Sequence, residues 1–224
     1  MPGGRATLVW ASWQRDGFPE RAMSLRDLPE ATRIGNGELG AAVVLHRIDD
    51  RVPETLRRAA ALVGTGAVRR AATVGGNLVG SSLRCLLPAA LVLDARAVTL
   101  DREGVEEREL AEVVDKHPLL LGLRWHPPAV SAYDKQEGAP SGPPPLVIAS
   151  AAFTDGTDGE DGHRIRVAVR DGYEVLTGTA ARDAGAGADQ VLRALRATAI
   201  GELHSRAWEA ACRQVSDLVD RLGG

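Results

Sequence analysis

Thr73–Val74–Gly75–Gly76–Asn77 sets two consecutive glycines between a hydroxyl and one of only two asparagines in the chain, with apolar residues on either side. Consecutive glycines permit positive φ and remove every Cβ from one face, so backbone N–H groups can approach a ligand oxygen, and Thr73 and Asn77 add side-chain hydrogen bonds. The chemistry this suits is a cradle for phosphate or ribityl oxygens; a tight turn ending in Gly–Asn uses the same residues. No G-x-G-x-x-G accompanies it, so it is not the dinucleotide fingerprint. The other reactive groups are sparse. Cys85 and Cys212 are distant, and two thiols neither hold an iron–sulfur cluster nor complete a zinc site. His46, His117, His126, His163 and His204 show no metal-ligand spacing, so no metal site is expected. Cys85 reads as a buried inert thiol, His46 as a surface or satisfied core histidine with a place facing the cleft as the alternative, and Tyr133–Asp134–Lys135 as a polar segment in a flexible joint. The acidic stretch Thr154–Gly162 lacks the closing Glu of a calcium loop and reads as a solvated turn.

The elements that must hold these residues follow from periodicity. "ATLVWASW" (6–13) reads as a strand, and "GELGAAVVLHRI" (37–48) as a strand with small residues where another element packs closely. Beyond Asp50 and Pro53, Leu56, Ala59, Ala60 and Val63 share one helical face that stops at Gly64. The glycine motif follows a helix and an arginine pair, which places it in a loop. A helix into a strand is expected over 87–104, then a proline-rich joint over 131–146. Ile165, Val167 and Val169 alternate against Arg164, Arg166 and Arg170, opposite the apolar run 146–153, which predicts a hairpin. Residues 187–224 read as two helices divided at Gly201.

The 224 residues suffice for one large domain or several small ones, and a net charge of -3 argues against a general nucleic-acid surface. No run is long and apolar enough to span a membrane and the opening lacks a secretory signal, so a cytoplasmic protein is expected.

The ordered set of Gly40–Ala41, Arg69, Thr73 to Asn77, and Leu91 to Ala95 resembles the flavin-binding subunit, or middle domain, of the molybdenum hydroxylases, the group that includes xanthine dehydrogenase and carbon monoxide dehydrogenase. The resemblance spans almost the whole chain. It implies an α+β fold in which two small α/β subdomains form a PCMH-like flavin cleft over residues 1–117. A β-sheet with C-terminal helices then follows over 118–224, like the carbon monoxide dehydrogenase flavoprotein C-terminal domain. It implies FAD as cofactor, held by Arg69, Thr73, Val74, Gly75, Gly76, Asn77, Ser81 and Ser82. It further implies an oxidoreductase subunit that passes electrons between iron–sulfur and molybdenum-cofactor partner subunits and an external acceptor; self-association is the other arrangement considered. The sequence departs from the family in two places. The family's first glycine-rich loop falls on Val9 to Arg15, which holds Trp10 and Trp13 and no glycine, and the Asp that usually follows the GGN loop is replaced in a region holding Arg84 and Cys85; in the flavoprotein reading the missing contacts are supplied by Arg15, Arg84 or a partner. The alternative is therefore a repurposed stand-alone scaffold that has lost normal FAD binding and acts on a small, largely apolar molecule as a cyclase or isomerase, or serves as a non-catalytic partner.

Overall fold

The computed structural model describes residues 14–15, 17, 20, 24–116, 118–136, 142–155 and 162–223. Trp10, Trp13, the strand expected over 6–13 and the centre of the acidic turn lie outside them. In chain order the elements are α1 (Pro29–Thr32), β1 (Ile34–Gly35), β2 (Glu38–Gly40), α2 (Glu54–Ala61), α3 (Gly66–Ala71), α4 (Val74–Gly80), α5 (Leu87–Val92), β3 (Arg96–Leu100), β4 (Val105–Glu109), α6 (Leu110–Lys116), β5 (Leu119–Arg124) and β6 (Val130–Lys135). β7 (Val147–Asp155), β8 (Gly162–Asp171), β9 (Glu174–Arg182), α7 (Ala188–Arg196) and α8 (Ser205–Gly223) complete them. The α+β expectation holds, with two antiparallel sheets and C-terminal helices.

The chain divides into two compact units. The first comprises Met1–Val52, Ala59–Leu87 and Ala95–His126; the second comprises Pro53–Arg58, Pro88–Asp94 and Pro127–Gly224.

The first unit is built on a sheet of order β1-β2-β5-β3-β4. Leu39, Ala97 and Leu123 are buried in register across β2, β3 and β5. The long strand expected over 37–48 is corrected to three residues. After Gly40 the backbone turns, because Ala42 N–H donates to Ala31 O at 2.8 Å and Val43 N–H to Gly40 O at 3.2 Å. Gly40 is required here, since a Cβ would overlap the Ala31 carbonyl of α1. The helix expected after Asp50 forms as α2, with Leu56, Ala59 and Ala60 fully buried.

The second unit is a meander, β6-β7-β8-β9, with α7 and α8 on one face. Ile148, Ile165, Val167 and Val169 from the strands meet Val191 and Leu195 of α7 and Ala207, Ala211, Val215 and Leu218 of α8. The predicted hairpin is present, with Ile165 opposite Ala152 and Val169 opposite Ile148. Gln214 of α8 is 7% exposed, and its Nε2 donates to Ala132 O, Ile148 O and Ser150 Oγ at 3.0–3.3 Å, which ties the helix to β6 and β7. Gly201 sits in the 3-10 turn Ala199–Glu202 between α7 and α8, as the division there requires. Tyr133–Asp134–Lys135 is corrected from a flexible joint to β6: all three pair with β7, and Tyr133 is 2% exposed.

Candidate flavin site

The glycine motif is the start of a helix, not the loop expected. Thr73 is extended (φ -113°, ψ 164°) and caps α4 by accepting from Gly76 N–H at 3.2 Å through Oγ1. Asn77 N–H donates to Thr73 O at 2.9 Å. The two remaining donors cross to the segment after β2: Val74 N–H to Val43 O and Gly75 N–H to Ala41 O, each at 2.9 Å. A single bridge between Val44 and Thr73 completes the seam. All four N–H groups of the first turn therefore have backbone or side-chain acceptors within the fold. Gly75 and Gly76 are helical, so positive φ is not what selects glycine. At Gly75 the reason is close approach: a Cβ would lie 3.0 Å from Ala41 Cβ and 3.2 Å from Ala41 O.

The other expected contacts have individual surroundings. Arg69, on α3, donates from Nη1 to Val63 O at 3.1 Å and Gly64 O at 2.8 Å, and so closes the C-terminal end of α2. Asn77 is 5% exposed, and its Oδ1 accepts from Leu86 N–H at 2.9 Å. That bond folds the segment after α4 back onto the helix's first turn. Asn77 Nδ2 has no partner among the described residues, and neither do the hydroxyls of Ser81 and Ser82. Ser81 lies just past the C-terminal end of α4, about 12 Å along the axis from Thr73 at 1.5 Å per residue. The eight residues thus form two groups at opposite ends of a short helix.

Sequence reasoning gave no role to the backbone of Arg84. It adopts φ +40°, and only Asp94 shares a positive φ among the described non-glycine residues. Its Nη2 donates to Val114 O at 3.3 Å. His46 lies exposed in the 3-10 turn Leu45–Arg47, and Cys85 is 9% exposed, consistent with an inert thiol. No group of three or more His, Cys, Asp or Glu residues suited to a metal occurs among the described residues. None of the described helices is long and apolar enough to cross a membrane.

These surroundings test how FAD is accommodated. The backbone amides at the helix start are engaged, but Asn77 Nδ2 within α4 and Ser81, Ser82 and the half-buried Arg84 after it leave side-chain donors available. A donor-rich set of this kind fits an acceptor-rich ligand. The sequence expected backbone amides and side chains together; the amides are engaged within the fold, and the side-chain donors remain.

The fold has close counterparts. Carbon monoxide dehydrogenase from Hydrogenophaga pseudoflava, in a form lacking the Mo-pyranopterin moiety of its cofactor, superposes with a TM-score of 0.66 at 17% identity, covering 98% of this chain and 88% of that one. Reconstituted CO dehydrogenase from Oligotropha carboxidovorans gives 0.63 at 18%, covering 98% and 87%. Quinoline 2-oxidoreductase from Pseudomonas putida 86 gives 0.59 at 16%, covering 99% and 88%. No similarity to a curated protein was detected. Residues 3–119, more than half of the sequence, match the FAD binding domain in molybdopterin dehydrogenase. This match shows that the chain belongs to the family of FAD-binding domains of molybdopterin dehydrogenases, and FAD is its cofactor.

Proposed function

We propose that the chain is the flavoprotein subunit of a molybdenum-hydroxylase-type oxidoreductase, passing electrons between a partner subunit and an external acceptor. The family match over residues 3–119, which contains the whole Thr73–Ser82 segment, carries this reading. Bound FAD supplies one- and two-electron chemistry that no side chain of the protein offers. The chain's own residues divide their work around it. Arg69, Thr73 and Val74 build the frame by closing α2 and stitching α4 to the segment after β2. Gly75 and Gly76 keep the helix start free of side chains, and Asn77, Ser81 and Ser82 offer hydrogen-bond donors. The fold counterparts, among them a Cu,Mo-containing CO dehydrogenase, support a molybdenum-bearing partner subunit, and a cluster-bearing one is part of the same proposal.

One observation favours the second reading, a repurposed scaffold for a small, largely apolar molecule: every N–H of the α4 first turn is internally bonded. The two readings separate in one experiment. The purified chain is titrated with FAD while flavin fluorescence is followed, and any cofactor that co-purifies is released and identified. Saturable quenching, the visible bands of oxidised flavin and their loss on chemical reduction are expected. A colourless chain that leaves FAD fluorescence unchanged would favour the scaffold.

A further inference from the structure

We propose that Arg84 supplies the positive charge for the FAD pyrophosphate, a task the engaged amides of α4 leave open; the assignment rests on the flavin reading above. Three observations lead to it. First, a dianionic linker needs donors or a cation, and the four N–H groups of residues 74–77 already donate to Val43 O, Ala41 O, Thr73 Oγ1 and Thr73 O. Second, Arg84 forms no ion pair among the described residues. Its Nη2 donates to Val114 O at 3.3 Å, its Nε is buried without an acceptor, and the side chain is half-buried. A guanidinium partly removed from water with no counter-charge is unfavourable unless an anion completes it. Third, the backbone of Arg84 is left-handed at φ +40°. That conformation costs a non-glycine residue free energy, and such strain concentrates at ligand sites. Asp94, the other non-glycine residue of this kind, has a local explanation: it ends α5 and its carboxylate pairs with Arg166 at 3.0 Å. Arg84 has none.

The position is suitable. Leu86 N–H donates to Asn77 Oδ1 at 2.9 Å, so the turn holding Arg84 returns to the first turn of α4 instead of running away from it. Leu87 N–H donates to Arg84 O at 2.8 Å and fixes the turn from the other side. Arg84 then stands in the same short segment as Ser81 and Ser82, whose hydroxyls have no partner among the described residues.

The test compares wild type with Arg84→Gln and Arg84→Gly, using FAD, riboflavin and inorganic pyrophosphate as probes, by fluorescence quenching and thermal shift. Arg84→Gln removes the charge and keeps hydrogen-bonding capacity; Arg84→Gly also relieves the left-handed backbone. Both variants are expected to fold, to weaken FAD at least tenfold, to leave riboflavin within about twofold, and to lose the thermal shift given by pyrophosphate. The fall in FAD affinity with added salt should be shallower in the variants. Undiminished FAD affinity in Arg84→Gln would overturn the assignment, as would an equal loss of FAD and riboflavin, which marks a structural role. Should wild type bind neither flavin, pyrophosphate decides: a shift abolished by Arg84→Gln keeps the anion site and rejects the flavin reading. A shift unaffected by the variant, or no shift at all, rejects the anion site.

Discussion

At the scale of single residues, the glycine pair shows how one local sequence serves packing before it serves a ligand. Helix α4 lies against the backbone after β2 so closely that Gly75 has 3.0 Å of clearance to Ala41 Cβ where a methyl group would stand. Replacing Gly75 by Ala gains up to about 1 kcal/mol of helix propensity, but crowding of this kind costs about 1–3 kcal/mol. The neighbours that must yield include the Ala41 carbonyl, which already accepts from Gly75 N–H. Gly75→Ala is therefore expected to lower the melting temperature, by about 2–4 °C for each kcal/mol in a chain of this size. Ala41→Gly added to it should restore part of the loss. A single variant that melts at or above wild type would show that the seam yields freely. A second residue-scale expectation concerns Asp49. Hydrogen bonds from the Arg51 side chain, at 2.8 and 2.9 Å, and from its backbone N–H hold the Asp49 carboxyl down at about 2. A depressed acid contributes stability above its unfolded value of about 4, and that contribution is lost as pH falls through the folded value. Proton titration followed by NMR should show Asp49 titrating near 2. In Arg51→Gln it should return towards 4.

At the scale of elements, glycines make their sharpest distinction at the two ends of α7. A methyl at Gly201 would overlap the Arg196 carbonyl, because the 3-10 turn brings residue 201 directly onto the end of the helix. At Gly187, the N-cap of the same helix, nothing lies within 4 Å. Gly201→Ala should cost about 3 kcal/mol or more, since backbone cannot move aside as a side chain can. Gly187→Ala should cost no more than about 1 kcal/mol, through a weaker cap. Chemical denaturation of the two variants checks the contrast; equal midpoints would show that the turn relaxes. The division at Gly201 was legible in sequence, as were α2, from the spacing of Leu56, Ala59 and Ala60, and the β7–β8 hairpin, from the alternation at Ile165, Val167 and Val169. Those elements carry their own periodicity. Helix α4 does not: Val-Gly-Gly-Asn has poor helix propensity, and it is helical because Thr73 caps it and Ala41 and Val43 accept two of its donors. The strand expected over 37–48 failed for the related reason that contact with α1 at Gly40 bends the chain. The candidate site shares this limit. Its motif was readable, but the internal use of its amides and the left-handed Arg84 are tertiary facts.

At the scale of the whole molecule, the proposed function makes the chain an electron relay that lacks its own terminals. Its two cysteines, Cys85 and Cys212, are too few for an iron–sulfur cluster. Cys85 is buried, and burial pushes the Cys212 thiol further from its reactive thiolate form. Substrate oxidation by the proposed assembly must then begin on a partner, with this chain holding FAD as the exchange point. The lone FAD-loaded protein is expected to exchange electrons between a chemical reductant and an artificial acceptor. It is expected to give no steady turnover with a purine or an aldehyde. Addition of cluster-bearing and molybdenum-bearing subunits should restore substrate-dependent reduction of the flavin, followed as bleaching of its visible absorbance. If the purified chain alone oxidised such a substrate through many cycles, the relay reading would fail, and the catalytic groups would have to be sought within these 224 residues.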